Sequence, residues 1–210
     1  LIASLYVEKN GAYFGLGDVD PWDEERDARL YAGPWPVVAH PPCARWCQVA
    51  HLVELRYGYR VGDDGGTFAA ALAAVRRFGG VLEHPAFSRA WKTYGLPRPG
   101  RQGWTRSFLD EGYVTEVDQH AYGFAGRKRT WLYAVGCELP ALNWSTAPAG
   151  LPVVSRWGWS RPGPHFKDEH HTIRMDKSSK TPEAFRDVLI AMARTALPSL
   201  SIIPPLEVVA

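Results

Sequence analysis

Cys43 ends the tetrapeptide His40-Pro41-Pro42-Cys43, which follows the apolar run Pro36-Val37-Val38-Ala39. Two successive prolines remove backbone donors and fix φ, so a strand entering this stretch leaves its sheet in a stiff turn. Open α/β sheets carry their chemistry just beyond the carboxyl ends of strands, which makes Cys43 a candidate nucleophile. Glu83, in Leu82-Glu83-His84-Pro85, stands in the same way behind the apolar pair Val81-Leu82. A third group, the basic turn Gly126-Arg127-Lys128-Arg129 with Thr130, follows Tyr122-Gly123. A thiol, a carboxyl group and a cation on one rim are the parts of a nucleophilic attack assisted by an acid and a positive charge.

Other constellations fit less well. Cys43, Cys47 and His51 recur every fourth residue, but three such ligands on a straight helix span roughly 12 Å, too far to share one zinc with bonds of about 2 Å. Zinc deaminases need a His-x-Glu upstream of their cysteines, and none precedes Cys43. Adjacent His170 and His171, near His165, Asp168 and Glu169, do not easily point into one metal site, so that cluster reads as a solvated loop. No metal is expected. Trp157 and Trp159 would share a face in an extended chain, a weaker stacking platform than core or loop staples.

The elements that position these groups follow from periodicity and caps. Ser4 to Val7, Lys9-Asn10-Gly11 and Ala12 to Leu16 read as an N-terminal hairpin, because Asn-Gly supplies positive φ. Asp20-Pro21 followed by acidic residues reads as the start of a helix ending near Gly33. Pro36 to His40 is the strand before Cys43, and Trp46 to Tyr57 a helix with Val49, Leu52, Val53 and Leu55 toward the core. Thr67 to Phe78 is an Ala-rich helix closed by Gly79-Gly80, and Val81-Leu82 the next strand. Phe87 to Tyr94 reads as a short helix, and Tyr113 to Val117 and Thr130 to Val135 as strands. Residues 145–180 form a long loop, a last helix runs from a Thr181 cap to Ala196, and 199–210 are an extended tail. Helix followed by buried strand, twice, argues for a mostly parallel sheet.

Composition bounds the rest. With 210 residues, 46% of them hydrophobic, the chain has material for one full core, so 1–198 reads as a single α/β domain. Lys plus Arg (24) nearly balances Asp plus Glu (22), so any nucleic-acid site is local. There is no run of 18 apolar residues and no signal-peptide pattern, and three cysteines give no disulfide framework. These features lead to an expectation of a cytoplasmic enzyme with no membrane partner.

The three motifs, in this order, resemble those of the DNA (cytosine-5) methyltransferases, with their Pro-Pro-Cys, Glu-Asn-Val and Tyr-Gly with Gln-x-Arg-x-Arg. The closer likeness is to small phage-type members with His-Pro-Pro-Cys, Glu-Asn-Pro and Lys-x-Thr. It covers roughly Val37 to Leu142 and implies a Rossmann-like three-layer domain, a reduced form of the family's fold. It also implies DNA as partner, with the target base flipped out of the duplex. By the same resemblance, the thiolate of Cys43 is expected to add to C6 of the pyrimidine, so that C5 becomes nucleophilic, with Glu83 carried over to the proton at N3 and Lys128 or Arg127 to O2. Pro42, His40, Thr130, Arg45 and His84 fall near the base, and Arg98, Arg101, Trp46, Trp104 and Arg106 are available as support. The implied methyl donor is S-adenosylmethionine, but the family's Phe-x-Gly-x-Gly-Gly turn is replaced by Tyr13-Phe14-Gly15-Leu16-Gly17. Two other readings therefore stand beside methyl transfer. One is C5 modification or deamination without that cofactor, and the other a non-catalytic DNA-binding or structural protein.

Overall fold

A computed structural model gives the fold and describes residues 1–48, 50–100, 102–149, 151, 153–154, 172–173 and 180–197. A seven-stranded sheet is ordered β2 (Val19–Trp22), β1 (Ile2–Leu5), β3 (Val37–Ala39), β4 (Gly80–Pro85), β7 (Arg129–Val135), β6 (Tyr113–Asp118), β5 (Thr105–Arg106). The pairs β2–β1, β1–β3 and β3–β4 are parallel, whereas β4–β7, β7–β6 and β6–β5 are antiparallel. The sheet is therefore mixed, not mostly parallel in its pairing. Strands β1, β2, β3, β4 and β6 still share one direction, because β7 is inserted reversed between β4 and β6.

Helices cover both faces. On one side α2 (Thr67–Phe78) sets Phe68, Ala71, Leu72 and Val75 against Leu5, Val37, Ala39 and Leu82. On the other, α4 (Glu183–Arg194) sets Phe185, Leu189, Ile190 and Met192 against Ile2, Val38, Val81 and Leu132. Strand alternation sorts consecutive residues to the two cores, which is why β3 and the Val81-Leu82 part of β4 are apolar on both faces. Gly80 is forced by close approach, since a Cβ there would lie 2.0 Å from the Val37 carbonyl oxygen.

Several expectations are corrected. The N-terminal hairpin does not form. Asn10 takes φ 56° in a turn, but residues 12–16 continue in turns, and β1, buried along its length, pairs instead with β2 and β3. Asp20-Pro21 lies in edge strand β2, where proline lacks only a donor the ladder does not need. The Asp20 carboxylate accepts from Trp22 Nε1 at 2.8 Å and from Arg26, and only the 3-10 turn Ala28–Leu30 follows. Helix α1 spans Ala50–Tyr57, shorter than expected, and Leu52 and Leu55 face solvent. Trp46, ahead of it, is buried, and its Nε1 donates to Asp64 at 2.8 Å. That link ties the turn after Cys43 to the start of α2, where Asp64 also accepts from Phe68 N. The short helix is α3 (Arg89–Thr93), and α4 starts after Pro182 without a side-chain cap from Thr181. Most of the 145–180 loop and the 199–210 tail lie outside the described residues, apart from the parallel pair β8 (Val153–Val154) and β9 (Thr172–Ile173).

Candidate active site

The strand order reverses between β1 and β3, because the chain goes from β1 outward to β2 and then returns to the other side of β1. Ligands of open α/β sheets gather at such a switch point, beyond the carboxyl ends of the strands. A cleft of about 1070 Å³ opens there, bordered by Tyr13, His40, Pro42, Cys43, Glu83 and Lys128. Such a volume suits a ligand of nucleotide size or larger.

Each side chain has a local reason to be there. His40 N donates to the Leu5 carbonyl at 3.0 Å and prolongs the parallel ladder by one bond. Pro41 is buried and Pro42 exposed, and the Cys43 carbonyl then accepts from Trp46 N and Cys47 N, both at 3.0 Å. The prolines thus deliver Cys43 to the first residue of a helical turn at the cleft wall. Glu83 lies within β4, opposite Leu132, because β7 pairs along the whole strand and lengthens it beyond Val81-Leu82. Lys128 is fixed by its backbone: its N–H donates to Asp118 Oδ1 at 2.9 Å. Its Nζ donates to the Lys180 carbonyl at 3.3 Å and lies 5.2 Å from the Phe124 ring centre.

The polar floor of the cleft is a continuous chain of hydrogen bonds. Tyr13 Oη meets His40 Nε2 at 2.8 Å, and His40 Nδ1 meets Glu83 Oε2 at 3.0 Å. Gln119 Nε2 donates to Glu83 Oε1 at 3.2 Å and to Thr130 Oγ1 at 3.0 Å, and Thr130 donates to the Lys128 carbonyl at 3.2 Å. Burial works to raise the Glu83 carboxyl, but the His40 hydrogen bond and the charges of His40, Lys128 and His84 outweigh it and hold it below the usual carboxylate range. Burial pulls the Lys128 ammonium below the usual lysine range, while the charges of Glu83 and Cys43 act in the opposite direction. Burial and the Glu83 charge push the Tyr13 hydroxyl well above its ordinary value, so it stays protonated.

An ionised Glu83 only accepts, so His40 Nδ1 carries a proton. His40 Nε2 is engaged by Tyr13. Lys128 is an electrostatic partner of Cys43 in this cleft, because the Cys43 charge acts to raise its pKa against burial. A cation beside a thiol favours the thiolate.

Of the residues singled out in the sequence, His40, Pro42, Cys43, Glu83, Arg127, Lys128 and Thr130 border the cleft. Arg127 Nε lies 4.0 Å from Asp118 Oδ2. Two do not reach it. His84 alternates to the opposite face of β4, where it is fully buried against Phe68 and Trp91. Arg45 turns outward and stacks 4.0 Å over Tyr59. Of the supporting set, Trp46 is core, Arg98 lies over Phe87, Trp104 donates to the Pro140 carbonyl, and Arg106 is exposed in β5. Arg101, Trp157, Trp159, His165, Asp168, Glu169, His170 and His171 fall outside the described residues. Cys47 borders the cleft, but His51 faces Arg89. Cys137 sits by the Gly80 carbonyl at the other end of β4, its thiol pushed by burial to about 11. Among the described residues no group of three or more His, Cys, Asp or Glu gathers to hold a metal.

Tyr13, Gln119 and Asp118 are the site residues that sequence reasoning missed as such. Asp118 is buried and receives the N–H groups of His120, Lys128 and Ala147. Asp118-Gln119 does carry a signal, an Asx cap directly before the Tyr122-Gly123 motif.

No helix among the described residues is long and apolar enough to cross a membrane. No family model, no curated protein and no solved structure matches this chain.

Proposed function

We propose that the protein modifies a pyrimidine at C5, most economically cytosine in DNA, through a covalent bond between Cys43 and C6, on a Rossmann-like scaffold related to the cytosine-5 methyltransferases. The observation that carries this reading is the meeting of Cys43, Glu83 and Lys128 in one cleft, with Lys128 electrostatically coupled to both of the others. The thiolate adds to C6, the ring electrons move toward N3, and the resulting enamine makes C5 a nucleophile. Glu83 faces N3 and the exocyclic amine, and Lys128 or Arg127 holds O2, where negative charge collects. Flipping the base costs a few kcal/mol, which contacts along the rim offset.

The methyl donor implied by the resemblance does not fit the residues present. Residues 6–18, between β1 and β2, form turns with no helix whose N-terminus would receive a ligand. Gly11 is needed by its own turn, where a Cβ would lie 2.8 Å from the Glu8 carbonyl oxygen. Helix α4 adjoins this segment instead, with Arg186 donating to the Ala12 carbonyl at 2.8 Å. The electrophile captured by C5 is therefore left open, and the addition itself is the activity assigned.

In the adduct the enamine carbon C5 takes a deuteron from solvent, and loss of its original proton before Cys43 leaves exchanges the C5 hydrogen, with no methyl donor required. Cytosine-containing single-stranded DNA incubated in D2O should take up deuterium at C5 with the wild-type protein and not with Cys43→Ser. Equal exchange by both proteins would sink the reading.

A further inference from the structure

The addition leaves a proton deficit. N3 must gain a proton as the C6–S bond forms, yet Glu83, the acid facing it, is held as a carboxylate. Lys128 is assigned to O2 and to the thiolate rather than to N3, and its Nζ also donates to the Lys180 carbonyl. Gln119, the other neighbour of Glu83, has no proton to give. His40 does, through Nδ1 at 3.0 Å from Glu83 Oε2.

Resting on the pyrimidine-addition reading, we infer that His40 is the proton reservoir of the site and that Tyr13 is the hydroxyl switch that lets it discharge. In the charged state both ring N–H groups donate, Nδ1 to Glu83 and Nε2 to the Tyr13 oxygen. When His40 is neutral, the Tyr13 hydroxyl can rotate and donate to whichever ring state leaves Nε2 bare. A hydroxyl both donates and accepts, so the imidazole changes charge in a part-buried site without losing a partner. His40 and Glu83 side chains are each 12% exposed, and Tyr13 is buried, so bulk water does not readily do this in their place.

The step balances. The sulfur pair forms the bond to C6, the C5=C6 π pair becomes C4=C5, and the C4=N3 pair takes a proton that Glu83 first accepts from His40 Nδ1 and passes on. Glu83 is a carboxylate before and after, His40 goes from charged to neutral, reversal returns the proton along the same path, and nothing is oxidised or reduced. His40 is a positioning and proton-supplying residue, not one that touches the base. The charged or titratable groups facing this chain are Glu83 from β4, Lys128 before β7, Cys43 after β3, and Arg186 with Asp187 from α4 toward Tyr13.

The test is the pH profile of C5 deuterium uptake on a cytosine-containing single-stranded oligonucleotide, with binding of that oligonucleotide measured in parallel. Wild type should lose exchange as pH rises through the titration of His40, observed separately by 15N NMR of the imidazole. His40→Asn, which keeps an N–H toward Glu83 but carries no titrating proton, should exchange at least tenfold more slowly at low pH under saturating DNA and lose that limb. Tyr13→Phe should move the limb, because the ring loses the hydroxyl that partners Nε2 in both of its charge states. Exchange by wild type with the same limb in a folded His40→Asn overturns the relay and leaves the addition standing. If His40→Asn does not fold, an unmoved limb in Tyr13→Phe, or a limb that departs from the NMR titration, overturns it. Absence of exchange in wild type overturns both.

Discussion

Asp118→Ala should be among the most damaging single changes near the site, although Asp118 touches neither Cys43 nor Glu83. Its Oδ1 accepts from His120 N at 3.2 Å and Lys128 N at 2.9 Å, and its Oδ2 from Ala147 N at 3.2 Å. Three separate stretches of chain are thus held by one carboxylate that is 3% exposed. Alanine leaves three backbone donors without their acceptor, at about 1–3 kcal/mol each where water cannot replace it. The His120 and Lys128 groups are only part-buried, so water takes back some of this, and roughly 2–5 kcal/mol is the expected loss. That is a large share of the ~5–15 kcal/mol that holds a domain. With a urea slope near 2 kcal/mol/M, the midpoint of unfolding, followed by tryptophan fluorescence, should fall by about 1–2.5 M. Asp118→Asn keeps one oxygen for two donors but turns an NH2 toward the Ala147 N–H, so it should cost less, roughly 1–3 kcal/mol. A midpoint shift below about 0.5 M for the alanine variant would refute the assignment of Asp118 as the organiser of the Lys128 turn.

Lys128→Met should raise stability by about 1 kcal/mol while abolishing C5 exchange, since a site held for chemistry often costs the fold. The sign follows from the lowered lysine pKa: the unfolded chain binds more protons, so wild-type stability climbs with pH up to the ordinary lysine range. That climb should be weaker in Lys128→Met, as read by urea unfolding across alkaline pH. Glu83 has its pKa lowered, so its stabilisation is present above the ordinary carboxylate value and is lost as pH falls through the folded one. Glu83→Gln should therefore flatten the acid limb of stability, measured by urea midpoints between pH 3 and 6, roughly either side of the free value. Phe185→Ala should cost about 3–5 kcal/mol, because the ring is fully buried and lies 5.1 Å from Tyr122. An effect below about 1 kcal/mol in thermal or urea unfolding would mean that α4 does not close that face.

What could be read from the sequence was what local rules determine. The Pro36 to Cys43 exit, α2 with its glycine stop, and α4 with its apolar face are set by residues close in the chain, whereas strands β6 and β7 were legible but their antiparallel pairing was not. The N-terminus was misread because its signals serve two structures equally. Asp20-Pro21 suits a helix start and an edge strand, and only the distant partner β1 decides. Asn10-Gly11 does turn the chain, but β1 finds β3, which local pattern does not reveal. In the site, Cys43, Glu83 and Lys128 announced themselves by residue type and flanking prolines or charges. Gln119 and Tyr13 did not, since their roles come from partners 36 and 27 positions away. His84 was misassigned for a related reason: Glu83 and His84 are adjacent, and strand alternation sends them to opposite faces.

The central claim is that Cys43 adds to C6 of a pyrimidine with no help from a bound donor. An oligonucleotide carrying 5-azacytosine tests it directly, because the ring nitrogen at position 5 takes a proton after addition and holds the adduct. Intact-mass and peptide mapping should find the oligonucleotide on Cys43 in the wild type, more slowly in Glu83→Gln, and not at all in Cys43→Ser. No adduct on the wild type, or an adduct carried by Cys47, which borders the same cleft, would contradict the account.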